Sequence, residues 1–245
     1  HPDRDSYDLS SLRTLGGGGG PRPAEHVKAL DKNFKGRPGI GYGLTETNAL
    51  GTMGAGDEYI NNPSSAGRVV PPLTEIKIID ENWQELPEGK IGEVAIRSQS
   101  NMKGYWRNDD ATAECINSEG WFKSGDLGKF DGPFLYILDR LKDMVIRGGE
   151  NIACPEVEGA IYEHPDVLEA SVFGIPDERL GEILCSSICL REGSKLSIES
   201  LNEFLSDKLA AFKIPVKIKF TYNPLPKIAS GKFDKPTMRQ NFIEE

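Results

Sequence analysis

A run of charged residues at positions 139–143 (DRLKD) separates two parts of the chain that have different hydrophobic patterns. Before this run, segments such as Gly92–Ser98 alternate polar and branched residues and are joined by turns with proline and glycine, which favours antiparallel strands. After it, apolar segments alternate with amphipathic ones such as Pro155–Tyr162, which favours alternating strands and helices. The chain is therefore predicted to have a mixed α+β fold in two parts. Their bounds are residues 1–138, with a β-rich subdomain at about 65–138, and residues 139–245.

The composition argues against several classes of function. The 245 residues include 38 acidic and 29 basic ones, a net charge of −9, whereas general nucleic-acid binding needs a basic face, so no nucleic-acid partner is expected. No apolar run of about 18 residues occurs, so no membrane-spanning helix is expected. Three histidines and four cysteines are too few for a histidine-rich metal centre or a disulfide scaffold, and this cysteine usage favours a cytoplasmic location.

The charge is unevenly distributed along the chain. Segment 207–239 holds eight basic and two acidic residues, a net charge of +6. Such a segment is either a solvated face or a local site for an anionic ligand such as a nucleotide or phosphopantetheine. Composition alone leaves both interpretations open.

Three short segments combine residue types that could bind a nucleotide. Segment 41–47 (GYGLTET) offers glycines that let backbone approach a phosphate, a Thr donor, and in Glu46 a hard oxygen ligand for Mg²⁺. Asp126 follows Gly125 and is predicted to lie at a turn, where its carboxylate could accept ribose hydroxyls or only cap the turn. Lys232 follows Gly231 on a flexible loop. Taken singly, each segment is also typical of an ordinary surface loop.

Taken in order, these segments belong to six blocks that closely resemble the adenylate-forming acyl-CoA synthetase family. The blocks are GYGLTET, GEVAIRS, GYWRNDDATAE, GWFKSGDLG, FLYILDRLKDMVIRGGENIACPEVE and PKIASGKFDK. The resemblance covers almost the whole chain. It implies a two-step reaction in which a carboxylic acid and Mg·ATP give an acyl-adenylate and pyrophosphate, and coenzyme A then displaces AMP. ATP, Mg²⁺ and coenzyme A are therefore the expected cofactors or co-substrates.

The resemblance assigns most nucleotide contacts to the first part of the chain. Thr45 would contact the α-phosphate, Glu46 would be the magnesium ligand, and both would take part in catalysis. Tyr42 would pack on adenine, and Asp126 would bind the ribose hydroxyls. The further nucleotide-binding positions implied are Gly17, Gly18, Gly19, Gly43 and Arg140.

The remaining roles fall in the second part of the chain, which the resemblance identifies as a small mobile lid domain. Lys232 would bridge the carboxylate and the phosphate during adenylation. Lys142 would be the hinge about which the domain rotates between the two steps. Segment 147–151 is predicted to be a loop, and its residues Gly148, Gly149 and Glu150 are expected to face the coenzyme A tunnel.

One departure from the family pattern limits what the chain is expected to do alone. The family carries an upstream loop rich in Ser, Thr and Gly, with a lysine that wraps the β- and γ-phosphates. Segment 16–20 is all glycine, lacks those side chains, and lies on the wrong side of the adenine motif. We therefore expect the chain to be the C-terminal portion of a longer synthetase, comprising the end of its large domain, the β-rich subdomain and the small lid domain. Alone, it is expected to lack full activity.

The identity of the acid and the exact branch of the family stay open. A fatty acid is the first expectation, with coenzyme A as acceptor and with a homodimer compatible with the sequence. An aryl-CoA ligase, a peptide-synthetase adenylation domain, a luciferase-like enzyme and a non-catalytic nucleotide- or CoA-binding module are the alternatives. Leu44 argues against the peptide-synthetase branch, which tends to have proline there.

Overall fold

A computed structural model, which describes residues 2–20 and 22–244, divides the chain into two compact units. The first unit ends at Leu138 and the second begins at Asp139. The described residues form a mixture of strands and helices, which confirms the predicted mixed α/β class. Short 3₁₀ helices occur at Pro2–Ser6, Thr45–Thr47 and Ala211–Lys213.

The first sheet of the first unit is built around glycines. Its order is β1-β2-β3-β4, with β1 parallel to β2 and the other pairs antiparallel. A Cβ added at Gly39 would lie 3.3 Å from the carbonyl oxygen of Gly54, so small residues let these strands approach closely. The elements are β1 (Thr14–Leu15), α1 (Ala24–Asn33), β2 (Arg37–Tyr42), β3 (Thr52–Ala55), α2 (Gly56–Asn61) and β4 (Arg68–Val69).

The second sheet of this unit has the order β5-β6-β7-β8, and the pairs β5–β6 and β6–β7 are antiparallel. Val94 and Ile96 alternate on one face of β6, whereas Ala95 between them is buried on the other face with Ile79 and Trp121. Val94, Ile96 and Leu135 are fully buried there and form a core with Ile78 and Ala66. The elements are β5 (Thr74–Ile79), β6 (Gly92–Ser98), α3 (Asp109–Cys115), β7 (Phe122–Asp131) and β8 (Phe134–Arg140).

The second unit is a sheet covered by helices on both faces. Its order is β10-β9-β12-β11, and β13 pairs in parallel with β12. Leu184 and Ile188 of β12 pack in one core with α4 and α5, whereas Cys185 and Cys189 pack in the other with α6. The elements are β9 (Val145–Arg147), β10 (Glu150–Ile152), α4 (Cys154–Tyr162), β11 (Val167–Asp177), β12 (Gly181–Leu190), α5 (Ile198–Ser206), β13 (Lys217–Thr221) and α6 (Lys235–Ile243).

Two local sequence predictions were wrong. Asp126 does not lie at a turn but inside strand β7. Segment 147–151, predicted as a loop, is a tight hairpin in which β9 and β10 pair and only Gly148 and Gly149 form the turn. Both glycines have positive φ, +60° and +87°, which suits a two-residue hairpin turn.

Candidate active site

The segment after β2 presents Thr45 and Glu46 on a closed turn. The Thr47 hydroxyl accepts a hydrogen bond from the Leu44 N–H at 3.0 Å and donates one to the Leu44 carbonyl at 3.2 Å, which holds the 3₁₀ turn. Gly43 is required by this arrangement, since a Cβ there would lie 2.4 Å from the carbonyl carbon of Ala49. The turn leaves the side chain of Thr45 exposed and that of Glu46 half-buried.

A β-bulge aims Asp126 at the last residue of β2. In the β6–β7 pair, Glu93 faces Leu127 while Ala95 faces Lys123, so strand β7 carries extra residues around Asp126. Gly125 adopts a φ of +71° and donates its N–H to Glu93 Oε1 at 2.9 Å, which holds the bulge in place. The buried Asp126 carboxylate accepts a hydrogen bond from the Tyr42 hydroxyl at 2.8 Å. The structure thus brings two predicted nucleotide-binding side chains together.

Tyr105 is a site residue that sequence reasoning did not single out. Its hydroxyl donates to Glu46 Oε1 at 2.9 Å. Burial, together with the hydrogen bond to Glu46, raises the pKa of Tyr105 to about 12, so the phenol stays protonated near neutral pH. Its place in the GYW block was the available signal, but the contact joins residues 59 positions apart and cannot be read from spacing.

The glycine run lies beside β2. The Gly17 N–H donates to the Gly39 carbonyl at 3.1 Å, and the Gly41 N–H donates to the Gly17 carbonyl at 3.0 Å. A Cβ at Gly18 would lie 2.8 Å from the Gly41 carbonyl oxygen, so close strand packing already requires glycine there. Gly19 has a φ of +80°, is exposed, and has no atoms near its Cβ position. Among the three glycines of this run predicted to bind the nucleotide, Gly19 alone has no neighbouring atom at its Cβ position in the described residues.

The carboxylates of the described residues fit a metal that arrives with the nucleotide. No group of three or more His, Cys, Asp or Glu in residues 2–20 and 22–244 could hold a resident ion. Mg²⁺ keeps several waters and binds through one or two carboxylates plus substrate phosphates. Glu46 suits that role, because Oε1 is oriented by Tyr105 while no hydrogen bond to Oε2 is formed by the described residues.

In the second unit, Lys232 lies on a small hairpin loop, next to the base of that loop. Lys227 and Phe233 form an antiparallel bridge at its base, and the Ile228 N–H donates to the Lys232 carbonyl at 2.9 Å. Gly231 turns the chain with a φ of +83°. The Lys232 side chain is exposed and forms no ion pair with any other described residue. A free ammonium group on a hinged loop is suited to approach an anionic ligand.

Lys235, three residues later, has the opposite environment. Its ammonium lies 3.1 Å from Glu158 Oε1, and its side chain is only 19 % exposed. Burial alone would lower the pKa of Lys235, but the charges of Glu158 and Asp139 outweigh it and raise the pKa. Glu158 also accepts the Val172 N–H at 2.9 Å, so this pair joins α6, α4 and β11. Lys235 therefore stabilises the unit.

The region around the predicted hinge is fastened at both sides. Asp139 is buried and accepts the N–H of Cys154 at 2.6 Å, which caps the start of α4. The Arg140 carbonyl accepts the N–H groups of Asp143 and Met144, both at 3.0 Å, which leaves Lys142 exposed on the turn between β8 and β9. Burial raises the pKa of Cys154 strongly, so its thiol stays neutral and is no nucleophile.

The three residues expected at a coenzyme A tunnel lie together on the β9–β10 hairpin. Gly148 and Gly149 form its turn, and Glu150 begins β10 with an exposed side chain. The Gly148 N–H donates to the Leu180 carbonyl at 2.7 Å, which fixes the hairpin against the start of β12. The hairpin is therefore an ordered, accessible edge of the second unit.

Comparison with known proteins identifies both parts of the chain. The family model described as AMP-binding enzyme matches residues 1–106, and the model described as AMP-binding enzyme C-terminal domain matches residues 156–232. The provisionally named acyl-CoA synthetase YngI of Bacillus subtilis (strain 168) is 41 % identical over 100 % of this chain and 45 % of its own length. Feruloyl-CoA synthase of an Amycolatopsis species is 37 % identical over 99 % of this chain and 49 % of its own length.

A solved structure shares the fold over nearly the whole chain. The amide bond synthetase McbA from Marinactinospora thermotolerans is 33 % identical and superposes with a TM-score of 0.89, covering 99 % of this chain and 50 % of its own. The chain thus spans about half the length of the curated relatives it matches. In the described residues, none of the helices combines the length and apolar character needed to cross a bilayer.

Proposed function

Since the chain belongs to the family of adenylate-forming AMP-binding enzymes, we propose that the protein activates a carboxylic acid with ATP and transfers the acyl group to coenzyme A. The proposed class is an AMP-forming acid–thiol ligase. Mg·ATP, the acid and coenzyme A would be the substrates. Because the chain spans about half of its relatives, the proposal concerns the native protein that contains these residues.

One observation carries the proposal most directly. The turn after β2 offers the Thr45 hydroxyl and the Glu46 carboxylate immediately beyond the hydrogen-bonded pair Tyr42–Asp126. A hydroxyl donor, a free carboxylate oxygen, an aromatic face and a second carboxylate are the groups that an α-phosphate, Mg²⁺, adenine and ribose need, respectively. All four are placed in one unit by backbone contacts that do not depend on a ligand.

The first step would be attack of a carboxylate oxygen on the α-phosphorus of ATP. The new bond joins the acid to AMP, the bond between the α-phosphorus and the bridging oxygen breaks, and pyrophosphate is the leaving group. No general base is needed because the acid is already ionised near pH 7. The barrier comes from bringing two anions together, which a cation near the developing charge lowers. We assign Lys232 to that role, and Glu46 would hold the Mg²⁺ that supplies further positive charge there.

The second step would replace AMP by a thiol. The sulfur of coenzyme A bonds to the acyl carbon, the carbon–oxygen bond of the mixed anhydride breaks, and the thiol proton is released to solvent. Lys232 has no role in this step, so its loop must leave the site. We propose residues 139–245 as the mobile domain, Lys142 as its hinge, and the β9–β10 hairpin as the surface that then meets the pantetheine.

The class of acid is the finer part of the proposal. YngI is named for acyl groups and feruloyl-CoA synthase for an aromatic acid, so both classes belong in the substrate panel. We put fatty acids first, as the sequence resemblance implies. The match to the amide bond synthetase McbA supports a second candidate function, in which an amine takes the place of the thiol after the same adenylation.

The experiment is acid-dependent pyrophosphate release by the native protein, first without an acceptor and then with coenzyme A or an amine. Hydroxylamine trapping reports the activated acyl group in the absence of either acceptor. Acid-dependent release with thioester formation supports the CoA ligase, and release with amide formation supports the second candidate. If no acid in the panel gives pyrophosphate or a hydroxamate, the enzyme proposal is wrong and a nucleotide-binding module remains.

A further inference from the structure

We propose that Tyr105 positions the Glu46 carboxylate for the magnesium ion of Mg·ATP without touching the substrate itself. The inference rests on the proposed function. Its starting observation is the hydrogen bond from the Tyr105 hydroxyl to Glu46 Oε1 at 2.9 Å, which leaves Oε2 for a cation. Without this hydrogen bond, the carboxylate on the half-buried turn would rotate freely. Binding an ion through one oxygen would then cost the entropy of fixing that carboxylate.

The segment before Tyr105 also fixes the backbone of the turn. The Met102 N–H donates to the Glu46 carbonyl at 2.6 Å, and the Ser100 hydroxyl donates to the Thr47 carbonyl at 2.9 Å. The Asn48 amide returns a bond to the Ser100 carbonyl at 2.9 Å. Both the main chain and the side chain of Glu46 are therefore positioned by one segment, residues 100–105, which acts as a template for the carboxylate.

Tyr105 is in turn held by helix α3. Its N–H donates to the Thr112 hydroxyl oxygen at 2.9 Å, and the Thr112 hydroxyl donates to the Asn108 carbonyl at 2.9 Å. Gly104 makes this approach feasible, since a Cβ there would lie 2.8 Å from Thr112 Cγ2. Helix α3 thus positions Tyr105, and Tyr105 positions Glu46. Such outer partners of a metal ligand usually act by orienting it.

A phenol is chemically suited to this task. A phenol has an ordinary pKa of about 10, so it is a neutral donor over the whole physiological range. A lysine or arginine in the same place would neutralise the carboxylate and compete with the metal, whereas a hydroxyl orients it and leaves its charge intact. The Tyr105 hydroxyl therefore orients the Glu46 carboxylate and leaves its negative charge available at Oε2.

The test measures metal binding without turnover, in the native protein. Mn²⁺ is titrated by electron paramagnetic resonance in the presence of α,β-methylene-ATP, for Tyr105→Phe, for Glu46→Gln as the reference, and for Tyr136→Phe as the control. Tyr136 is a second tyrosine of the first unit with a raised pKa, and it bonds only weakly, at 3.4 Å, to Asn62. Tyr105→Phe is expected to weaken Mn²⁺ binding about 10-fold. Metal-free binding of the nucleotide and Tyr136→Phe should match the unaltered protein.

Each outcome decides a different point. If Glu46→Gln weakens Mn²⁺ binding and Tyr105→Phe does not, the inference about Tyr105 is overturned while the proposed function stands. If neither changes it, the metal role of Glu46 fails as well. If Tyr105→Phe does not fold, Thr112→Val replaces it in the test. This variant keeps the phenol of Tyr105 and removes the hydroxyl that accepts the Tyr105 N–H. Weakened Mn²⁺ binding then supports the inference, and unchanged binding overturns it.

Discussion

Two lysines three residues apart should separate activity from stability. Lys232 is exposed and without an ion pair among the described residues, whereas Lys235 is largely removed from solvent and paired with Glu158. We predict that Lys232→Met abolishes most adenylation and leaves the protein as stable as before. Lys235→Met should do the reverse, since it destabilises the second unit and leaves the adenylation rate of the folded protein unchanged. Methionine keeps the length of both side chains, so each variant is the matched control of the other.

The magnitudes follow from the two environments. Removing one partner of a buried ion pair costs about 3–5 kcal/mol, and the exposures of Lys235 and Glu158, 19 % and 13 %, place this pair at about 3 kcal/mol. In a domain of roughly 100 residues that lowers the melting temperature by about 10–20 °C. An exposed substitution such as Lys232→Met should stay within about 0.5 kcal/mol. Losing one group that stabilises the transition state should reduce the adenylation rate by about 100- to 1,000-fold.

The assay combines thermal unfolding followed by circular dichroism with acid-dependent pyrophosphate release at a temperature where both variants are folded. The double variant Lys235→Met, Glu158→Gln should recover part of the lost stability, because it no longer leaves a buried charge unpaired. The reasoning is refuted if Lys232→Met lowers the melting temperature as much as Lys235→Met does. It is also refuted if both variants lose adenylation equally while folded.

Three further predictions follow from single positions. Gly43→Ala should reduce adenylation, because its Cβ would lie 2.4 Å from the Ala49 carbonyl carbon. Gly41→Ala should be tolerated, because its Cβ would approach nothing closer than 3.8 Å. Steady-state kinetics and melting temperatures of the two variants test this difference. Lys142→Pro should slow thioester formation from supplied acyl-adenylate more than it slows adenylation, and an unaffected second step would place the hinge elsewhere. The folded-state pKa of Tyr105, about 12, lies above the usual tyrosine value of 10.0, first because the phenol is desolvated and then because it bonds to Glu46, so the associated stability is present below pH 10 and is lost as pH rises toward 12. Urea unfolding between pH 9 and pH 12 should show this loss, and Tyr105→Phe should reduce it.

Elements with a local periodic pattern could be predicted from the sequence. The amphipathic segment Pro155–Tyr162 was expected to be helical and α4 covers Cys154–Tyr162, and the alternation at Gly92–Ser98 became strand β6. Strand β2 was missed, because its sequence, RPGIGY, contains proline and two glycines and shows no alternation. Segment 37–42 forms a strand because its glycines let the chain on both sides approach closely. This close approach exists only in the assembled sheet.

The site shows the same division between local and distant information. Family resemblance selected Tyr42, Glu46 and Asp126 as residue types in ordered blocks, but it did not show how they are held. The Tyr42–Asp126 contact joins residues 84 positions apart and depends on a bulge whose partner, Glu93, lies on another strand. Tyr105, the partner of Glu46, could not be predicted for the same reason. Hydrogen bonds between residues so far apart in the sequence form only when the sheets have formed.

The most direct test of the proposed chemistry follows one oxygen atom. A carboxylic acid labelled with ¹⁸O in both carboxylate oxygens is turned over by the native protein with Mg·ATP and coenzyme A, and the AMP is analysed by mass spectrometry. If a carboxylate oxygen attacks the α-phosphorus, each AMP carries one ¹⁸O and the thioester keeps the other. AMP without ¹⁸O, or label in pyrophosphate instead, would contradict an acyl-adenylate route.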